Sequence, residues 1–213
     1  MASFTMGKES YAKRKKIARN VALAKPLVAA PRKPALPEIL AKKANGVLLD
    51  KFLPASAKTK SKGQPKKWTR PVYDGPALGA DAALKSQVWN IFAAKMEEIY
   101  KKAKDPHIKW NPRERKEELY NEHSRLIVVQ NAQGSVQAFS MFRFEAESNY
   151  YGKMEFLMYI YEIQVTKGLW GTGVCRRAFT ALESIAREFQ AQLIMLTCFK
   201  CDTRALSIYE YFE

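Results

Sequence analysis

Between Tyr159 and Arg177 the sequence reads Tyr-Ile-Tyr-Glu-Ile-Gln-Val-Thr-Lys-Gly-Leu-Trp-Gly-Thr-Gly-Val-Cys-Arg-Arg. A run of β-branched and aromatic residues breaks at three glycines, Gly168, Gly171 and Gly173, and resumes as an amphipathic helical pattern. The order predicts strand, tight turn, helix. Such a turn leaves backbone N–H groups without partners at a helix N-terminus, where glycines let an anion come close and the helix dipole favours negative charge. The first expectation is therefore a phosphate-bearing ligand. The plainer alternative is that the glycines serve only to make the corner.

The flanking patterns supply a domain around that corner. Leu84, Val88, Ile91, Phe92, Met96 and Ile99 recur at helical spacing and predict a helix of about five turns that ends before Asp105-Pro106. Asn111-Pro112-Arg113-Glu114 combines a capping residue, a proline at the first helical position and a glutamate at the third, so a short helix is expected to run on to Tyr120, its charges forming solvated surface. Strands are expected over Ser124 to Gln130 and Ser135 to Glu145, joined by the turn Asn131 to Gly134, and over Lys153 to Val165. Ala178, Leu182, Ile185 and Ala186 give the helix after the glycines its buried face. Gln192 to Phe199 reads as a further strand and Asp202 to Phe212 as a final helix. Helices flanking a run of mostly antiparallel strands indicate an α/β or α+β domain with a mixed sheet.

The formal charge of +15 is unevenly placed. Residues 1 to 75 hold 18 Lys or Arg against 4 Asp or Glu, and residues 76 to 213 hold 18 against 17. Seven of the ten prolines also fall in the first 75 residues. This division predicts a basic, proline-rich, largely disordered extension over 1–75, with short helices around Tyr11 to Ala24 or Leu36 to Phe52 as alternatives, followed by a folded domain over 76–213. Lys13-Arg14-Lys15-Lys16 reads either as a nuclear-import signal or nucleic-acid contact, or as part of a solubilising tail. No apolar run is long enough to span a bilayer, and the first residues lack the apolar core of a signal peptide. The cysteines, Cys175, Cys198 and Cys201, are odd in number and fit a reducing compartment better than a disulfide framework. With one C-x-x-C and only His107 and His123 beside it, no metal site is expected.

The order of elements, Glu162-Ile163-Gln164-Val165 running into Gly171-Thr172-Gly173, and the ending Asp202-Thr203-Arg204-Ala205-Leu206-Ser207-Ile208-Tyr209-Glu210 resemble the GCN5-related N-acetyltransferase (GNAT) superfamily. More narrowly, Trp110 to Glu118, Ala138 to Glu145, Tyr159 to Gln164 and Met195 to Lys200 resemble the N-alpha-acetyltransferase D family, which acetylates the N-terminal serine of histones 4 and 2A. The likeness extends from about Val88 to Glu213.

The resemblance implies acetyl-coenzyme A as co-substrate and no metal. It implies that the backbone of Leu169, Trp170, Gly171, Thr172 and Gly173 receives the pyrophosphate, with Lys167 as charge partner and the edge of Ile163, Gln164 and Val165 pairing with the pantetheine arm. The superfamily pattern has Gln or Arg three residues before the first glycine of the pair; Gly168 stands there instead. Asp202 occupies a position that often contacts the cofactor as Asn. Glu162 is the implied general base and Tyr209 the phenol near the coenzyme sulfur. Tyr159 and Tyr161 match substrate-binding tyrosines. Tyr161 and Glu162 cannot share a face of a regular strand, so a bulge or a neighbouring strand must bring them together. Glu145 and Glu147 match acidic positions that recognise the peptide, and Tyr100, Trp110 and Thr197 match residues around it. The family also has two strands after the last helix; the sequence ends at Glu213, so an open sheet edge is expected. The implied partner is a histone N-terminal peptide, with nucleic acid or the ribosome as candidates for the basic tail, no membrane, and a location in nucleus and cytoplasm. Two other readings remain: a basic chromatin or nucleic-acid binder on an inactive scaffold of this type, and a transferase acting on another amine.

Overall fold

The computed structural model describes residues 37–46, 71–106 and 108–211, together with the backbone at 20–26, 57–58 and 67–68. A six-stranded sheet runs in the order β1 (Asn20–Pro26), β8 (Leu193–Phe199), β7 (Met154–Val165), β6 (Val136–Ser148), β5 (Arg125–Gln130), β4 (Val72–Asp74). Among the described residues of this sheet only the β7–β8 pairing is parallel. The two-residue strands β2 (Ala57–Lys58) and β3 (Lys67–Trp68) pair with each other in a separate ribbon.

Helices cover both faces. On one side lie α1 (Pro37–Asn45) and α5 (Val174–Glu188); Ala41, Ala44, Leu182, Ile185 and Ala186 pack there on Phe142, Phe144, Phe156, Met158 and Ile160. On the other lie α2 (Gly75–Ala80), α3 (Ala82–Ala103) and α4 (Pro112–Leu119), whose Leu78, Leu84, Val88, Phe92 and Leu119 meet Leu126, Val128, Phe139 and Met141. The alternation of side chains along each strand thus feeds two apolar layers, which is why β5 reads as a nearly continuous apolar run. The final helix, α6 (Thr203–Tyr211), follows β8.

Local signals set the helix starts, at Asn111-Pro112 as expected from the sequence. Asp81 Oδ1 accepts from the Leu84 amide at 2.9 Å, and Asn111 Oδ1 accepts from Arg113 and Glu114 ahead of Pro112. Asn111 Nδ2 in turn donates to Glu114 Oε1 at 2.7 Å, a side-chain contact that holds the two residues together. Gly173, at φ 74°, caps α5 in a left-handed conformation that a side chain would strain.

Three expectations need correction. The domain does not begin at residue 76: β4 pairs with β5, and α1 contributes to the core from within the supposed extension. Of the two alternative helices, residues 37–45 form α1, whereas 20–24 lie in strand β1; the remainder of both ranges, including Lys13 to Lys16, lies outside the described residues. The outer edge of β8 is not open, because β1 pairs along it from Asn20↔Phe199 to Pro26↔Leu193. Alternation of charged and small residues concealed these segments: α1 has only Ala41, Ala44 and Asn45 on its buried side, too few and too small to stand out.

Asn45 fixes α1 to the sheet. Its side-chain amide donates to the Phe144 carbonyl at 2.8 Å and accepts from the Phe144 N–H at 3.1 Å, both buried. The side chain therefore satisfies a β6 backbone donor and acceptor at one residue.

Candidate active site

β7 and β8 pair only from Leu157↔Leu193 to Ile160↔Leu196 and then part, although β7 runs on to Val165 and β8 to Phe199. A cavity of about 330 Å³ lies where they diverge, on the face of α3 and α4. Its wall includes Tyr100, Tyr159, Tyr161, Glu162, Ile163, Gln164, Thr197, Asp202 and Tyr209, so the structure brings together nine of the nineteen residues singled out from the sequence.

The bulge that the chemistry required is present. β6 pairs Met141 with Glu162 and Phe142 with Ile160, leaving Tyr161 as the extra residue. Tyr159 and Tyr161 pack with Leu157 and Met195 on one face, whereas Ile160 before the bulge and Ile163 after it both face α5. Tyr161 and Glu162 thereby reach the same cavity.

Glu162 is the most perturbed carboxylate in the site. Burial pushes its pKa up from the ordinary 4.5 to about 8, with the Glu118 charge adding to the rise. The Gln164 side chain opposes it, donating to Glu162 Oε2 at 2.8 Å, as do the charges of Arg115 and Lys95. Gln164→Met removes that donor with little change in volume. Glu162 should then titrate higher, and the rise of activity with pH should move to more alkaline values; an unmoved profile would show that Gln164 does not hold the carboxylate.

The tyrosines are held by partners. Tyr159 hydrogen-bonds to Thr197 Oγ1, and Tyr161 donates to Glu145 with the Arg143 guanidinium 4.5 Å from its ring centroid. The Tyr100 hydroxyl accepts from Arg115 Nη1 at 3.2 Å. Burial raises the pKa of both Tyr100 and Tyr209 far above the usual phenol range. Asp202 accepts from the Ala205 amide at 3.1 Å and lies 3.4 Å from Lys95, so its carboxylate caps α6 and is paired.

Three expected substrate residues do not line the cavity. Trp110 packs between Trp89, Phe92 and Tyr100 at centroid distances of 5.5–5.8 Å, as part of the core between α3 and α4. Glu145 accepts from the Tyr161 hydroxyl and does not itself line the cavity. Glu147 pairs opposite Glu155, farther from the cavity along β6, and is buried. Conversely, Lys95, Glu114, Arg115 and Glu118 line the cavity although the charges of α4 read as solvated surface. The signal available for them was the spacing of Arg115 and Glu118 by three residues, which puts both on one side of α4, where they pair at 2.6 Å.

At the glycine corner, Lys167–Leu169 form a single 3₁₀ turn. Leu169 donates to Thr166, Trp170 to Lys167 and Thr172 to Leu169, at 3.0–3.3 Å. These three amides serve the turn itself, which corrects the expectation that all of Leu169 to Gly173 donate to an anion. Leu169 is buried, and Thr172 Oγ1 also turns inward onto its carbonyl at 2.7 Å. The donors left to an anion are Gly171, Gly173 and the first amides of α5, which have no intrahelical acceptor. A side-chain atom placed on Gly171 would meet nothing within 4 Å, so the approach is open.

The strand edge is equally specific. The Thr166 amide donates to the Gln137 carbonyl, which makes Val165↔Ala138 a pair without mutual hydrogen bonds. By alternation, Ile163 and Val165 turn their backbone N–H and C=O groups away from β6 toward the gap, while those of Gln164 are used by β6.

The acetyltransferase (GNAT) family model matches residues 87–212, and the chain belongs to this family. The fold is accordingly that of an acetyltransferase, and the activity is transfer of an acetyl group from acetyl-coenzyme A, the co-substrate of the family. Similar solved structures include a ribosomal-protein-alanine N-acetyltransferase from Brucella melitensis biovar Abortus 2308, at 12% identity and TM-score 0.48, covering 68% of this chain and 90% of that one. An aminoglycoside acetyltransferase from an uncultured soil metagenomic sample matches at 16% identity and TM-score 0.47, covering 68% and 86%. A transcriptional regulator from Bacillus halodurans matches at 19% and 0.47, covering 67% and 91%. The residues present fit an acyl-coenzyme A: a strand edge with outward backbone groups leads from a helix N-terminus to the cavity that holds Glu162.

Proposed function

We propose that this chain acetylates the α-amino group of a protein N-terminus, with the N-terminal serine of histones 4 and 2A as substrate. The observation that carries the reading is Glu162, half-buried on the bulged strand and titrating at about 8. An α-ammonium group titrates at about 7.7–8.0, so a base near 8 takes its proton with almost no free-energy gap. The bound coenzyme supplies an acetyl thioester at the end of the strand edge. Glu162 removes the proton that the attacking amine must lose, directly or through one water. Tyr209 keeps its own proton at any working pH because its pKa is raised so far, and it serves the departing sulfur as a hydrogen-bond donor. Tyr159 and Tyr161, fixed by Thr197 and Glu145, border the space for the first residue of the peptide.

Support for a peptide beginning Ser-Gly-Arg-Gly comes from the sequence likeness of Trp110 to Glu118 and Ala138 to Glu145, and from the carboxylates Glu114 and Glu118 at the cavity, which suit the guanidinium two residues into such a peptide. The basic residues before Asn20 suit contact with nucleic acid or the ribosome, and we place the protein in nucleus and cytoplasm on the same likeness.

Mass spectrometry of a Ser-Gly-Arg-Gly peptide incubated with protein and acetyl-coenzyme A tests the reading. One acetyl group on the terminal amine, and at least about tenfold slower transfer to the same peptide with its arginine replaced by alanine, are expected. Faster turnover of polyamines than of the peptide would overturn the N-terminal assignment. Failure to bind acetyl-coenzyme A, with binding of DNA or RNA, would favour the scaffold reading instead.

A further inference from the structure

The glycine corner holds two side chains that the transfer chemistry does not use. Trp170, 45% exposed, turns its indole back over the end of β7, and Nε1 donates to the Val165 carbonyl at 3.1 Å. That carbonyl is one of the outward-facing groups of the strand edge. Arg204, exposed on the first turn of α6, lays its guanidinium 3.3 Å from the centroid of the indole ring, and the Lys167 ammonium lies 6.0 Å from the same centroid. One aromatic ring thus occupies the strand edge and carries a cation from the opposite bank of the corner. On the α5 side Arg177 lies close to Gly173, its Nη1 3.5 Å from where a Cβ would stand. Gly168 contributes no side chain, and a Cβ there would meet nothing within 4 Å.

We propose that Trp170 and Arg204 form a self-occupied clamp over the phosphate corner, opened by the coenzyme, and that Arg204 is the side chain that grips the coenzyme's phosphates. The proposal rests on the acetyl-coenzyme A reading of this site. In the free protein the indole satisfies Val165 and the guanidinium rests on the ring face, a weak attraction at an exposed site. A phosphate offers the guanidinium charge-assisted, bidentate hydrogen bonds, which are stronger than the ring contact. The same ligand needs the edge that the indole covers. Both exchanges favour moving Arg204 from ring to phosphate and Trp170 away from Val165. Lys167 and Arg177 lie at the turn itself, and Arg204 adds a guanidinium from outside it, on α6.

The test is titration of the full chain with coenzyme A and, separately, with acetyl-pantetheine, which lacks the phosphates, by calorimetry and tryptophan fluorescence. Coenzyme A should shift the emission, and the shift should vanish in Trp170→Phe. Arg204→Gln should bind coenzyme A about tenfold more weakly while its affinity for acetyl-pantetheine changes by less than about twofold. Adding Gly168→Arg to Arg204→Gln should recover most of the lost affinity, because the space beside residue 168 is open and faces the same corner. Equal losses for both ligands, an unchanged affinity for coenzyme A, or an emission shift that survives Trp170→Phe would each overturn the clamp. If the unaltered chain binds neither ligand, the coenzyme assignment fails along with it. If it binds both and acetylates the peptide but Arg204→Gln is silent, only the clamp is lost. Arg204 is exposed, so a melting curve matching the parent protein shows that the variant is folded.

Discussion

Glu162→Gln should abolish acetyl transfer and make the protein more stable at alkaline pH. Loss of a general base lowers the rate by roughly 10²–10⁴-fold. The stability effect follows from the pKa of about 8 against 4.5 for an ordinary glutamate. The folded state binds this proton more tightly than the unfolded chain does. The resulting stabilisation is full below about pH 4.5, falls as pH rises, and is gone above about 8. Glutamine is neutral throughout, so the variant avoids the loss. The difference reaches at most about 5 kcal/mol, on the order of 10 °C in Tm for a domain of this size. Melting curves at pH 5 and pH 9 check it: the two proteins should nearly coincide at the lower pH and separate at the higher, with the variant melting later. Coincidence at both would mean that Glu162 ionises freely in the folded protein. The same titration makes the activity of the parent protein rise with pH up to about 8.

Asn45→Ala should destabilise the protein by roughly 3 kcal/mol. The substitution leaves the buried N–H and C=O of Phe144 without their partners, at about 1–3 kcal/mol for each group. Because Ala41 and Ala44 of the same helix lie against Phe144 and its neighbours, part of α1 should detach as well. Chemical denaturation of parent and variant gives the difference directly. Removal of residues 1–46 should cost at least as much, since it takes β1 from the edge of β8 along with α1. A chain starting near Gly75 that melted like the whole would show that neither segment contributes.

The sequence and the structure agree where local chemistry dictates the outcome. The apolar period of α3, the Asn111-Pro112 start of α4 and the strand–glycine–helix passage into α5 are all encoded within a few residues, and all appear at the expected positions. Glu162, Tyr209 and the tyrosines of β7 meet at one cavity because β7 and α6 form where the local sequence pattern places them. What could not be read was decided by distant partners. α1 carries lysines and alanines that suit a tail as well as a helix, and only the Phe144 backbone, 99 residues away, gives Asn45 its role. Trp110 looked like a peptide contact until Trp89 and Phe92 provided it with a core position. Arg115 and Glu118 resembled the other charges of α4, and their inward position depends on how that helix sits over Tyr100. The self-bonding of the glycine corner was likewise invisible, since a turn that holds an anion and one that satisfies its own amides use the same residues.

The bulge at Tyr161 makes the site sensitive to chain length in a way that no substitution reproduces. Excising this one position would let Met141 and Phe142 face consecutive residues of β7, and pairing would continue without interruption. The sheet would keep every apolar contact of Phe156, Met158 and Ile160, yet the tyrosine framing the carboxylate would be gone and the local coil that swings β7 off β8 would relax. A protein altered in that manner should fold at least as readily and do nothing, a separation of architecture from chemistry at a single codon.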